Sequence, residues 1–284
     1  MLETRELTIR FGGHVAVDRV SCAFQPGTLT AIVGPNGAGK TTYFNLISGQ
    51  LPASSGQVLL DGVDISTLPA PLRTRRGLGR AFQLTQLFPN LSVLENVRLA
   101  IQARETCAPR ASRAMPAPQG GEAPLGRPGG RFAGAGRGLF GIDLWHVWSD
   151  HRGWTDEAQG LLASVRLADK AQAHAAALPH GDQRKLEVAV LMALRPRVFM
   201  FDEPTAGMSV DDAPVVLDLI RGLKARRDAT ILLVEHKMDV VRELADRIIV
   251  LHNGALVADG EPATVIASPI VQQAYLGIAA EEPA

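Results

Sequence analysis

The chain has 284 residues, enough for one large α/β domain or two small ones with a buried core. Its 29 basic and 29 acidic residues balance, which argues against a nucleic-acid or membrane-surface partner, and its two cysteines, Cys22 and Cys107, form neither a disulfide framework nor a metal motif. The opening MLETRELTIRF has charges where a signal peptide needs an apolar core, and no apolar run reaches the ~20 residues that span a bilayer. The expectation is a cytoplasmic protein, or a peripheral subunit of something that spans.

Leu7, Ile9 and Phe11 alternate with polar residues and predict a half-buried strand, broken at Gly12. A second alternating run ends at Phe24, before the turn QPG. LTAIVG reads as a buried strand running into a glycine-rich loop. KTTYFNLISG follows as a helix that stops at Gly49. VLLDGVDI predicts a hairpin turning at Asp61-Gly62, and LSVLENV opens a helix with a capping box, Ser92 and Glu95.

Residues 108–141 differ in kind. Nine glycines, five prolines, five arginines and one acid fall there, a composition that does not bury enough apolar surface to offset its ordering entropy. A disordered or loosely held insertion is expected. Trp145, Trp148 and Trp154 follow it, and are expected to anchor the returning chain or to dock a partner.

Order is expected again from Leu161. After LPHGD, the residues Leu186, Ala189, Val190, Ala193 and Leu194 recur at helical spacing, and the helix should stop before Pro196. VFMF predicts a buried strand ending in Asp202 and Glu203, VVLDLIRGLK an amphipathic helix, TILLVEH a strand, and RIIVLHNGALVADG a hairpin turning at Asn253-Gly254. Strands alternating with helices predict an α/β fold, mainly parallel, with antiparallel hairpins at its edges.

Two motifs carry chemistry. GPNGAGKT, Gly34 to Thr41, fits the phosphate-binding loop pattern, with a strand before it and a helix after it. Its residues Gly34, Pro35, Asn36, Gly37, Ala38 and Gly39, with Lys40, Thr41 and Thr42, are expected around a nucleotide triphosphate. Backbone N–H groups would meet phosphate oxygens, Lys40 would place a cation on the β- and γ-phosphates, and the Thr41 hydroxyl would serve Mg2+. VFMFDE supplies the complement. Asp202 would hold Mg2+ through water, and Glu203 would orient and deprotonate the attacking water. Gln83 is placed to touch Mg2+ and that water, and His236 to hydrogen-bond the γ-phosphate.

The order GPNGAGKT, FQ…LFPNLSVLENV, LPHGDQR, FDEPTAG, VEH resembles the ATP-binding subunits of ABC transporters, over residues 7–277. EHKMDVVRELADRIIVLHNGALVADGEP and SPIVQQAYLG are similar to subunits of importers for branched-chain amino acids and related hydrophobic or amide solutes. The resemblance implies a P-loop NTPase with a mainly parallel RecA-like core, an antiparallel β-subdomain and an inserted helical subdomain at about 86–190. The ATP-binding domain would span 5–278 and a short tail 279–284. It implies ATP and Mg2+ as cofactors and Phe11 stacked on adenine. Leu178–Gln183 would be the signature, with Gly181 and Gln183 reaching a partner's ATP. The segment after Gln83 would receive a membrane subunit. The partners implied are a second ATPase subunit (homodimer or, in preference, heterodimer), two polytopic membrane subunits and, indirectly, a periplasmic solute receptor. The location implied is the cytoplasmic face of the inner membrane.

Three positions depart from the family pattern. Pro179 stands for the signature serine, Asp182 for the glutamine after the signature glycine, and Ser209 for an aspartate six residues past Glu203. They keep open a catalytically weak partner subunit in an asymmetric pair. An ATPase subunit for urea or short amides is a further alternative. A soluble ATPase acting on nucleic acid or ribosomes fits less well, since the chain has one phosphate loop, no heptad run and no net positive charge.

Overall fold

In the computed structural model, which describes residues 1–81, 87–107, 152–269 and 271–272, the first two strands are longer than the alternation alone suggests. β1 (Leu2–Phe11) and β2 (His14–Phe24) pair antiparallel across the turn at Gly12. β3 (Leu29–Val33) is buried throughout and delivers the chain to α1 (Lys40–Ser48). β4 (Ser55–Leu60) and β5 (Val63–Asp64) form the expected hairpin. Asp61 and Gly62 hold φ of 51° and 77°, as a tight two-residue turn requires.

The chain continues through α2 (Ala70–Arg75), β6 (Leu78–Ala81) and α3 (Val93–Cys107). The capping box at the start of α3 forms, with the Ser92 N–H donating to Glu95 at 2.7 Å and the Glu95 N–H to Ser92 Oγ at 3.1 Å. Next come α4 (Arg152–Ser164), α5 (His180–Leu194), β7 (Val198–Asp202), α6 (Ala213–Arg226) and β8 (Thr230–Val234). α7 (Met238–Leu244), the hairpin β9 (Arg247–His252) and β10 (Ala255–Gly260), and α8 (Pro262–Ala267) complete it. α4 corrects the sequence expectation, since helix begins at Arg152 and not at Leu161. Its first turns bury little, so the apolar pattern there is faint. Trp154 anchors on the cluster formed by α3, α4 and α5. The expected insertion 108–141, Trp145 and Trp148 lie outside the described residues.

Two sheets result. One is antiparallel, in order β2-β1-β4-β5; the other runs β10-β9-β3-β8-β7-β6. Within the second, β9-β3-β8-β7-β6 are parallel, and only β10 is antiparallel. Its two faces are covered by different clusters, one including Phe24, Tyr43 and Phe44, the other Phe201, Val216 and Leu244.

One buried cation secures α1 from below. Arg73 is 2% exposed and donates to the carbonyls of Leu46, Ile47, Ser66 and Leu68 at 2.6–2.8 Å. Two of those carbonyls belong to the last turn of α1, where orphan acceptors and the negative end of the helix dipole favour a cation.

Candidate functional site: a phosphate loop facing two strand ends

The strand order decides where chemistry collects. β3, β8 and β7 are parallel neighbours, so their carboxyl ends lie side by side. One ends at the phosphate loop, one at Glu235-His236 and one at Asp202-Glu203. Open parallel sheets bind ligands at such an edge.

The cleft there has a volume of about 430 Å³ and is lined by Phe11, His14, Ala16, residues 36–42, Glu203 and His236. Phe11 is 52% exposed, a flat apolar face at its rim. Two glycines are obligatory. Gly34 has φ 153°, and a Cβ there would lie 2.1 Å from the Leu251 carbonyl oxygen. Gly39 has φ 95°, and a Cβ would lie 2.4 Å from the Ala16 carbonyl oxygen. Both close approaches wrap the loop so that it opens into α1. The first turn of α1 contains no acidic residue, leaving its amides and dipole for an anion.

Lys40 is 6% exposed and donates to the carbonyls of Gly34 at 2.7 Å and Pro35 at 2.9 Å. Burial pushes its ammonium below the ordinary lysine range, while Glu203 and Asp202 pull it back up. Thr41 and Thr42 face the cleft from the same helical turn.

Asp202 is 2% exposed. Burial pushes its carboxyl up, and Arg80 opposes this by donating to Oδ2 at 2.7 Å. Oδ1 is buried and has no hydrogen-bond partner among the described residues. A buried carboxylate oxygen left open beside a phosphate loop suits Mg2+, which takes oxygen ligands and uses only one or two protein groups besides phosphates. No cluster of three or more His, Cys, Asp or Glu that could hold a metal ion forms among the described residues.

Glu203 adopts φ 49°, rare for a residue with a side chain, and its N–H donates to the Val234 carbonyl at 2.9 Å. This turn brings its carboxylate to the cleft. His236 Nε2–H donates to Glu203 Oε1 at 2.7 Å. Glu235, missed in the sequence, is buried beneath. It accepts from Thr205 Oγ1 at 2.8 Å and from the N–H of His236 at 2.8 Å. Its only trace in the sequence is an acid closing an apolar strand. Arg80 was missed too, although a charge inside the short strand LGRA is such a trace. Gln83 lies outside the described residues.

The sequence pattern of the ABC transporter family matches residues 17–206. The chain belongs to that family. It is 34% identical, over 277 residues and 98% of each chain, to the high-affinity branched-chain amino acid transport ATP-binding protein BraF of Pseudomonas aeruginosa. It is 32% identical, over 280 residues and 98% of each chain, to the LivG protein of Escherichia coli K12, of the same description. Its fold matches the crystal structure of an ATP-binding cassette of an ABC transporter in an ADP conformation. The TM-score is 0.72 at 27% identity, covering 98% of this chain and 99% of that one. The expected α/β P-loop architecture is therefore present, and the activity is ATP binding and hydrolysis. No described helix of this ABC ATPase is long and apolar enough to cross a membrane.

The segment Leu178–Gln183, expected as the signature, is not among the residues that line this cleft. Pro179 is the N-cap of α5, and no side chain caps that helix end. Gln183 Nε2 donates to the Leu178 carbonyl at 3.0 Å. Asp182 is neither a cap nor a free anion. It is 6% exposed and is paired with Lys170 at 2.5 Å and Lys185 at 2.6 Å. Burial alone would raise its carboxyl, but the hydrogen bonds of the two lysines outweigh this and hold it below the ordinary range. Lys185 continues to Asp212 at 2.8 Å, and Ser209 Oγ donates to the other oxygen of Asp212 at 2.8 Å. Two of the three departures from the family pattern thus belong to one polar network.

Proposed function

We propose that this chain powers an importer of branched-chain amino acids as one of two paired ATPase subunits. They would sit on two polytopic membrane subunits at the cytoplasmic face and be fed by a periplasmic receptor. The observation that carries the ATPase chemistry is the convergence of Lys40, Asp202 and the Glu203–His236 pair on one phosphate loop. The names of BraF and LivG favour branched-chain amino acids over urea or short amides.

In this reading, Phe11 stacks on the base, and the amides of residues 36–42 enclose the phosphates. Lys40 exchanges its two carbonyl partners for phosphate oxygens, which are better acceptors because they are charged. Thr41 and Asp202 would hold Mg2+, whose positive charge would favour the phosphate oxygens as negative charge builds on them. Glu203 accepts the proton of the attacking water through the oxygen that His236 leaves free. His236 fixes the other oxygen and so the orientation of the carboxylate. Gly181, Gln183 and the N-terminus of α5 serve the partner's nucleotide, and Gln83 completes the water site.

The test uses the assembled transporter in vesicles. Lys40→Ala should abolish tight nucleotide binding. Glu203→Gln should bind ATP, stop turnover and stop uptake of labelled leucine. Wild-type turnover in Glu203→Gln would overturn the assignment of the base. Uptake of labelled urea but not leucine would overturn the solute.

A further inference from the structure

Arg80 stands on β6, beside the end of β7, where the parallel register pairs it with Met200 and pairs Ala81 with Phe201. Its side chain is 6% exposed and that of Asp202 0%. One nitrogen, Nη2, donates to Asp202 Oδ2 at 2.7 Å. The other, Nη1, donates to Asn45 Oδ1 at 2.6 Å and Ser48 Oγ at 3.0 Å, both on α1. The guanidinium face lies over the Phe44 ring, 5.4 Å from its centroid.

One rigid, planar group therefore bonds two elements at once. β7 ends in Asp202, and α1 begins with the turn that carries Thr41. A lysine has no such fork and could not span both. Because Oδ2 is held, rotation of the carboxylate is blocked, and Oδ1 is the oxygen left open.

We propose that Arg80 is a positioning residue for metal binding. It holds Asp202 by one oxygen and sets the spacing of Asp202 from α1, so that the other oxygen meets the cation without rearrangement. This rests on the reading of Asp202 as a metal-binding side chain. Groups that orient a metal ligand without touching the metal are worth about 10–100-fold in affinity.

The measurement is the factor by which Mn2+ tightens binding of a non-hydrolysable ATP analogue, relative to EDTA, in the full-length chain. Arg80→Met should cut that factor about tenfold. Affinity in EDTA should fall by less than that, since Asp202 serves nucleotide binding through the cation. Asp202→Asn should cut the factor as well, and Arg80→Met added to it should change nothing more. Arg80→Lys should lie between the wild type and Arg80→Met. If Arg80→Met leaves a buried carboxylate that prevents folding, Arg80→Lys and the double variant carry the test. A wild-type factor in a folded Arg80 variant would make Arg80 a structural counter-ion only and overturn the proposal. An equal loss in both backgrounds would overturn it too, because Arg80 would then act by another route. An unchanged factor in Asp202→Asn would instead sink the reading of Asp202 itself.

Discussion

His236 Nε2 and Glu203 Oε1 lie 2.7 Å apart although 33 positions separate them in the chain. Each follows the end of one of two neighbouring parallel strands, β8 and β7. The bond leaves Glu203 one carboxylate oxygen for a water and limits its rotation. His236→Ala should therefore lower kcat about ten- to a hundredfold while shifting KM for ATP little. In a Glu203→Gln background it should cost almost nothing further, because both act on one proton transfer. Steady-state ATPase assays on the four proteins check this, and additive losses would separate the two residues.

Arg73 satisfies four backbone carbonyls from a buried position. Arg73→Met would strand acceptors at the end of α1. A loss of about 3 kcal/mol is expected, since bonds from a charged donor are worth roughly 1.5–3 kcal/mol each and some carbonyls will find water. For a chain of this size Tm should fall by roughly 6–12 °C. Calorimetry decides it, and a change under about 1 kcal/mol would show that the carbonyls rehydrate freely.

The Asp182 network predicts a pH signature. Its folded carboxyl is held below the ordinary value of 3.8. A depressed acid contributes stability that is fully present above its unfolded value and is lost as pH falls through the folded one. Asp182→Asn should thus be less stable than wild type at pH 7, by about 2 kcal/mol. The difference should shrink only as pH drops below 3.8. Urea unfolding from pH 7 to pH 2.5 tests it; a constant difference across that range would mean that the lysines do not hold the charge.

Pro179 predicts asymmetry between two ATP sites. The lysines neutralise Asp182, so if Leu178–Gln183 serves as the signature, what it lacks is the hydroxyl and N–H that Pro179 does not supply. One lost donor to a charged phosphate costs roughly 1.5–3 kcal/mol, or about ten- to a hundredfold in rate. In a complex with a second ATPase that has a full signature, Glu203→Gln should remove most turnover, and the same change in the partner little. Pro179→Ser should raise the slow site's rate and cap α5. Equal losses from the two glutamate variants would show that Pro179 is harmless.

What the sequence determined by itself is local. Gly34 and Gly39 needed positive φ, Asp61-Gly62 and Asn253-Gly254 needed two-residue turns, and Ser92 and Glu95 needed only each other. The phosphate loop and the acidic strand end were legible because their spacing is set within a few residues. The tertiary structure alone decided what meets across the chain. Only strand order brings Glu203 to His236, sets Arg80 against Asp202 over 122 positions, and folds Arg73 back under α1. Nothing in the segment LPHGDQR shows that Lys170 and Lys185 both pair with Asp182. A charge in a sequence has no fixed surroundings. Its partners depend on which elements pack together, and burial of apolar surface over the whole domain makes that choice.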